Sequence, residues 1–437
     1  MAATSRAATS FPKRSPGGPA AYTPFFSYRP GGLYCEGASL AGIAARAGTP
    51  LYVYSRSSIA SAYGRLSRAL STAGLREHTI CYSVKANSNL GILRVLAALG
   101  SRFDIVSGGE LYRLRRIGVS GDRIVFSGVG KTREEIREAL RQRILLFNVE
   151  SAGELELLAA EASRLRRPAA AAIRVNPDVE AGGHPHISTG RHQHKFGMDW
   201  AAARSAYLGF RSSRWIRWQG ISAHIGSQIL SLGPFRRAVR RLAGWAGELT
   251  RDGISVRYFD FGGGLGIRYL DEQPLDLPGY ARAVASAVAP LGCHLLLEPG
   301  RSLVGPAGIL LTRVLGIKQT RGRRFVVVDA AMNDFLRPAL YGAVHPVTHV
   351  ARSLGRGSGR ADIVGPVCET GDSFLQDWPL GKAEPGDLLA LWGTGAYGFV
   401  SSSNYNSRPR PAEVLVAGSR FRIIRRRESR ADLVRGE

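Results

Sequence analysis

The chain has 437 residues, 44% of them hydrophobic, enough to bury a sizeable core in two domains, one of which could be a large barrel. No run approaches the ~18 apolar residues that a membrane span needs. Four widely separated cysteines (Cys35, Cys81, Cys293, Cys368) without CxxC spacing speak against a disulfide scaffold or a zinc site and fit a reducing, cytoplasmic compartment. The formal charge of +25 would suit nucleic acid or an anionic surface. The arginines, however, are scattered among alanine and glycine, with only short clusters such as Arg321-Gly322-Arg323-Arg324 and Arg425-Arg426-Arg427. The excess reads as compositional bias, with no specific nucleic-acid partner and no membrane partner.

Residues 1–35 contain no acidic residue and are rich in Ala, Ser, Pro, Gly and Arg, so residues 1–25 are expected to form a disordered tail. That composition is shared with transit peptides but lacks the apolar stretch of a secretory signal. A short strand-like piece from Tyr34 leads into the helical pattern Leu40-Ile43-Ala44. Thr49–Tyr54 is β-rich and Ser57–Leu70 helical. A regular alternation follows, with strand-like runs at Ile80–Ala86, Phe103–Ser107, Ile124–Ser127, Ile144–Val149, Ala171–Val175, Ile221–Ile225, Arg257–Phe261 and Leu295–Glu298. Helical segments lie between most of them, such as Thr132–Leu140, which opens on the capping box Thr132-x-x-Glu135, and Tyr280–Ala289. Eight strands alternating with helices over ~220 residues predict a (β/α)8 barrel, placed at residues 50–305. After Arg301 the pattern becomes short β-rich runs at Ile309–Ile317, Arg324–Asp329, Ala361–Val364, Leu388–Trp392 and Glu413–Val416, separated by Gly/Pro turns. These predict a second, all-β domain formed by residues 306–437 together with residues 26–49.

The chemical-looking residues cluster just after the barrel strands. Lys85 ends the first, and Asp104 with Ser107-Gly108-Gly109-Glu110 closes the second. His224 and Gly226-Ser227-Gln228 end the sixth, Gly262-Gly263-Gly264 the seventh, and Glu298-Pro299-Gly300-Arg301 the eighth. In a barrel these tips converge on one mouth, where barrel active sites lie. Lys85, in Tyr82-Ser83-Val84-Lys85-Ala86-Asn87, reads either as a surface lysine or as an amine whose pKa is lowered by burial until it is nucleophilic, as a Schiff-base lysine requires. The glycine run is a tight turn or, with Ser227, a phosphate cradle. Glu298 could pair with Arg301 or keep a heterocyclic nitrogen protonated. His224 could be a core histidine or a flat ring stacked on a cofactor. Cys368, between proline, glycine and acidic residues, reads as an exposed thiol suited to proton donation. His184, His186, His192 and His194 match no standard zinc spacing, so a loop is expected and no metal.

In this order and spacing the segments resemble the fold-type III pyridoxal-phosphate decarboxylases, from about Phe26 to Val416. The resemblance rests on Gly48-Thr49-Pro50-Leu51-Tyr52-Val53-Tyr54, Tyr82–Asn87, Ser107-Gly108-Gly109-Glu110-Leu111, His224-Ile225-Gly226-Ser227-Gln228, Glu298-Pro299-Gly300-Arg301-Ser302, Arg337-Pro338-Ala339-Leu340-Tyr341 and Cys368-Glu369. The run Tyr405–Val414 is most particular to the branch acting on diaminopimelate. Thr394, Val400 and Ser401 depart from the residues expected at their positions. The resemblance implies an alanine-racemase-like barrel with a β-domain, pyridoxal 5'-phosphate as cofactor, and a homodimer with shared active sites. It implies that Lys85 carries the cofactor, that His224 stacks on its ring and that Glu298 pairs with its pyridine nitrogen. Ser227, Gly263, Gly264, Gly300 and Arg301 would hold its phosphate, and Tyr397 would contact it from the β-domain. Arg301, Arg337, Tyr341, Glu369 and Tyr397 would bind substrate, and Cys368 of a second subunit would donate a proton. The implied reaction is decarboxylation of meso-2,6-diaminopimelate to L-lysine and carbon dioxide, the last step of lysine biosynthesis. A sister decarboxylase for ornithine or arginine, and a catalytically silent regulatory barrel, are the rivals.

Overall fold

The computed structural model describes residues 24–180, 195–351 and 359–437. The tail expected over residues 1–25 lies outside them up to residue 23, as do His184, His186, His192 and His194. Eight strands, His78–Ser83, Arg102–Ile105, Ile124–Phe126, Leu146–Val149, Ala169–Arg174, Ile216–Ser222, Tyr258–Asp260 and His294–Leu297, pair in parallel around a closed ring. The last returns to the first through Leu297 opposite Ile80. Every predicted barrel run overlaps one of them, with shifted ends: the first strand begins at His78 and stops at Ser83, Val84–Ala86 is a single 3-10 turn, and the sixth, Ile216–Ser222, shares only Ile221 and Ser222 with the run expected at Ile221–Ile225. The helix expected to open on Thr132 spans Arg133–Gln142. Its Thr132 hydroxyl accepts from the Glu135 N–H while the Glu135 carboxylate accepts from the Thr132 N–H.

The barrel's chemistry follows from the two-residue period of its strands. Cys81, Val125, Leu146, Ala172, Tyr258 and Leu296, one from each of six strands, form a buried cluster of their own, the apolar layer that fills the lumen. Two residues further along, the same inward positions are Ser83, Ser127, Asn148, Arg174, Asp260 and Glu298. All six are buried. An apolar plug thus supports a polar layer at the C-terminal end of the strands.

The β-domain is built around the long strand Gly308–Thr320. Its first half pairs with Leu51–Ser55 on one side and Leu388–Leu391 on the other, and its second half with Arg323–Val328. Leu51–Ser55 also pairs in parallel with Ala412–Ala417. The boundary expected at residue 50 therefore moves: this run is a strand of the β-sheet, not of the barrel. Its alternation serves both domains. Leu51 and Val53 join the core beneath the N-terminal strands Phe26–Arg29 and Gly32–Cys35 and the helix Leu40–Ala47, whereas Tyr52 and Tyr54 face the barrel core. Among the described residues no helix is long and apolar enough to cross a membrane.

A fully buried carboxylate locks the two domains together. Glu413 accepts from Tyr54 Oη (2.8 Å), from Nδ2 of Asn89 in the barrel (2.7 Å) and from Arg425 Nε (2.6 Å). Removing it leaves two buried donors and a guanidinium without an acceptor. Glu413→Leu should destabilise the chain by about 3–5 kcal/mol, read from the midpoint of urea unfolding. A midpoint within error of the parent would show that the lock contributes nothing.

Candidate active site

The 3-10 turn buries Val84 and Ala86 and leaves the Lys85 side chain 39% exposed at the barrel mouth. Lys85 Nζ donates to Asp104 Oδ2 at 2.9 Å, and Ser83 Oγ donates to the same oxygen at 2.6 Å. Asp104 is fully buried, and its Oδ1 has no protein partner. Burial by itself lowers the Lys85 pKa, but Asp104, then Glu298 and Tyr397, outweigh it and hold the ammonium above its ordinary range. The expectation of an amine depressed by burial is thereby corrected: the Asp104 carboxylate bonded to it keeps this lysine charged.

Across the lumen, Ser127 Oγ donates to Glu298 Oε1 at 3.0 Å. Asn148 Nδ2 lies 2.7 Å from Asp260 Oδ2 and 3.3 Å from the same Glu298 oxygen. Asp260 Oδ1 accepts from the Gly262 N–H. Burial first, then the charge of Asp104, raises both carboxyl pKa values, and Glu298 is held protonated beside Asp260. The alternative reading of Glu298 as the ion-pair partner of Arg301 fails. Arg301 donates instead to Tyr269 Oη (2.7 Å) and Ser227 Oγ (3.0 Å).

His224 follows the sixth strand. Its Nδ1 accepts from the Gly263 N–H at 3.1 Å, which leaves the ring proton on Nε2. Burial, then the charges of Arg174 and Lys85, keeps the imidazole neutral. A Cβ on Gly263 would stand 2.3 Å from the Glu298 carbonyl oxygen, and Gly264 adopts φ +95°, so this close crossing requires glycines. At Gly300 an added Cβ would stand 2.9 Å from the Ala86 Cβ. From the β-domain, the Tyr397 N–H donates to the Ala86 carbonyl at 2.8 Å, and its ring lies 4.9 Å beneath the Arg301 guanidinium. Arg337 lies over the rings of Tyr269 and Tyr341, at 5.8 and 5.7 Å. Its Nε donates to His345 Nε2.

Lys85, His224, Ser227, Gly263, Gly264, Glu298, Gly300, Arg301, Arg337, Tyr341 and Tyr397 thus gather around one mouth. Cys368 and Glu369 stand apart on an exposed β-domain loop. The Cys368 N–H donates to Asn406 Oδ1 and Glu369 accepts from Tyr405 Oη. Sequence reasoning did not single out Ser127, Asn148, Arg174, Tyr269 or His345. The first three are findable as the inward positions two residues beyond the apolar layer. Tyr269 and His345 lie in connecting segments and carry no local signal.

A parallel barrel whose mouth combines a charged lysine, a buried acid, a neutral histidine and a glycine cradle defines a class of cofactor-dependent enzyme. Residues 56–305 match the family described as pyridoxal-dependent decarboxylase, pyridoxal binding domain, and the chain belongs to that family, within its diaminopimelate decarboxylase branch. It is 49% identical to the diaminopimelate decarboxylase of Pseudomonas aeruginosa, over 94% of this chain and 98% of the relative. With that of Aquifex aeolicus it shares 43% over 93% and 96%. Among solved structures, the Helicobacter pylori diaminopimelate decarboxylase complexed with L-lysine superposes with a TM-score of 0.87 at 42% identity, covering 90% of this chain and 98% of that one. The M. jannaschii enzyme in complex with L-lysine gives 0.90 at 38%, over 94% and 97%.

The residues present fit pyridoxal phosphate. The glycine crossing leaves no room for a side chain where an anion would approach the backbone. Arg301 Nε is buried without a partner. A protonated carboxyl stands at the floor of the mouth, opposite the lysine. Because Asp260 and Glu298 have pKa values raised above those of the unfolded chain, the cofactor-free fold retains protons that the unfolded chain gives up. Their contribution is most favourable below the ordinary carboxyl range and is lost as pH rises through the raised values. Glu298→Gln removes one of the two. It should make the cofactor-free protein more stable than the parent near pH ~8 by about 1 kcal/mol or more, with the difference shrinking toward pH ~4. Urea titrations across that range check it, and an unchanged pH slope would contradict the shared burial.

Proposed function

We propose that this chain decarboxylates meso-2,6-diaminopimelate to L-lysine and carbon dioxide, with pyridoxal 5'-phosphate held in the barrel mouth. The observation that carries the substrate class is the state of two arginines. Arg301 and Arg337 are only 4% and 7% exposed, and among the described residues no carboxylate pairs with either. A buried guanidinium without an anion is costly. Two of them at one mouth suit an anionic cofactor together with a substrate that keeps a second carboxylate after the first is lost. Ornithine or arginine would not supply that group.

When bound, the cofactor supplies an electron sink for cleavage of the bond to the departing carboxylate. The chain's residues prepare that chemistry. Asp104 and Ser83 fix the Lys85 amine at the mouth and keep it protonated. Glu298, steadied by Ser127 and Asn148, holds its proton where a ring nitrogen needs one. Neutral His224 offers a flat face beside the glycine crossing without adding charge. Ser227, Gly263, Gly264, Gly300 and Arg301 bind the phosphate. Arg301, Arg337, Tyr341 and Tyr397 orient the substrate, so that binding energy from its remote end positions the reacting carbon.

Cys368 is the donor that returns a proton to that carbon, and Glu369 receives the distal ammonium. Both are exposed and bonded to the neighbouring Tyr405–Ser407 turn of the β-domain rather than to the mouth, which supports a homodimer in which each loop completes the mouth of the other subunit. The test is release of lysine and carbon dioxide from meso-diaminopimelate by the cofactor-loaded protein. Lys85→Ala and Cys368→Ala should each lose at least about a hundredfold in kcat. An equimolar, reassembled mixture of the two should regain about a quarter of the parent rate, since half the dimers then hold one intact site. Ornithine or arginine consumed in preference would replace the substrate, and a mixture no more active than its components would remove the shared site.

A further inference from the structure

The helices Leu232–Arg251 and Leu277–Val288 follow the sixth and seventh barrel strands and pack side by side on the outside of the barrel. Phe235 and Tyr280 meet between them with ring centroids 4.9 Å apart. A groove of about 320 Å³ is lined by Arg236 and Arg240 of the first helix and by Gly279, Arg282, Ala283 and Ser286 of the second. Arg236 and Arg240 are four residues apart, as are Arg282 and Ser286, so each pair presents one helical face. Ala283 and Gly279 line it between them, and a Cβ at Gly279 would stand 2.1 Å from Asp276 Oδ2, so the helix-capping carboxylate borders the groove at that end.

Three guanidinium groups line this groove and no carboxylate does. Among the described residues none of the three makes an ion pair, whereas their neighbours Arg237 and Arg241 are committed to the carbonyls of Glu180 and Pro177. Asp276, which caps the second helix, is bonded through Oδ1 to the Gly279 N–H. Ser286 Oγ donates to the Ala283 carbonyl. Like charges one turn apart weaken a helix unless an anion joins them, and guanidinium forks match phosphate oxygens in pairs.

We propose that this groove is a binding site for an oligophosphate group, separate from the phosphate cradle at the barrel mouth. Three exposed positive charges on two packed helices match a di- or triphosphate better than a single monoanion. The site depends on none of the catalytic residues.

The experiment uses the full chain saturated with pyridoxal phosphate, so that the cradle at the mouth is filled. Inorganic tripolyphosphate is titrated by calorimetry at ~0.15 M salt, where the field of distant charges is screened. Saturable binding of one equivalent per chain is expected. Combined Arg236→Gln, Arg240→Gln and Arg282→Gln should weaken it by about tenfold or more. Combined Arg94→Gln, Arg116→Gln and Arg217→Gln, three exposed arginines elsewhere that remove the same charge, should leave it intact. Equal weakening by both sets, or no saturable binding by the parent, overturns the proposal, because net charge then accounts for the affinity. A random DNA duplex that displaces tripolyphosphate, with the same dependence on the three arginines, identifies backbone phosphates as the natural source. Failure of the duplex to compete identifies a free oligophosphate.

Discussion

The ion pair between Lys85 and Asp104 is the interaction on which the rest of the site depends. Asp104 is fully buried, and the oxygen that is paired at all is shared by Lys85 and Ser83. Without the ammonium it would be a stranded charge. Without the carboxylate, the amine would lose the charge that offsets burial, and its fixed direction. The turn carrying Lys85 is also held from the other side. The β-domain donates the Tyr397 N–H to Ala86 and receives Asn87 Nδ2 on the Gly395 carbonyl at 3.1 Å. Lys85 therefore sits where the two domains meet, and a displacement of either would move it.

Beneath that turn, the barrel sorts its interior by depth. An apolar layer excludes water, and the next inward layer gathers Asp260, Asn148, Ser127 and Glu298 within hydrogen-bond reach of one another. Two carboxyls forced together out of water cannot both ionise cheaply. The raised Glu298 pKa costs the cofactor-free chain stability above the ordinary carboxyl range. The arginines follow the same logic with the opposite sign: Arg301 and Arg337 are buried against tyrosines and hydroxyls, and among the described residues no carboxylate pairs with either.

Much of this was legible in the sequence, because barrel strands are short apolar runs and the residues at their tips are conspicuous. Lys85, His224, the glycine run and Glu298 each end or follow a strand-like run, which by itself puts them at one rim. What was not legible depended on contacts across the barrel. Ser127 and Asn148 are ordinary polar residues until closure brings them to Glu298. Lys85 was expected to be depressed by burial, and the direction reversed because Asp104, nineteen residues away, lies on the next strand. Leu51–Ser55 reads like any apolar strand, and only its pairing with Gly308–Thr320 and Ala412–Ala417 assigns it to the β-sheet.

The most direct test of the account is where the cofactor attaches. The protein loaded with pyridoxal phosphate is reduced with borohydride, digested and mapped by mass spectrometry, in the parent and in Asp104→Asn. One pyridoxyl group is expected on the peptide containing Lys85, with slower and less complete labelling in the variant. Label on another lysine such as Lys131, or equal labelling with and without the Asp104 charge, would contradict it.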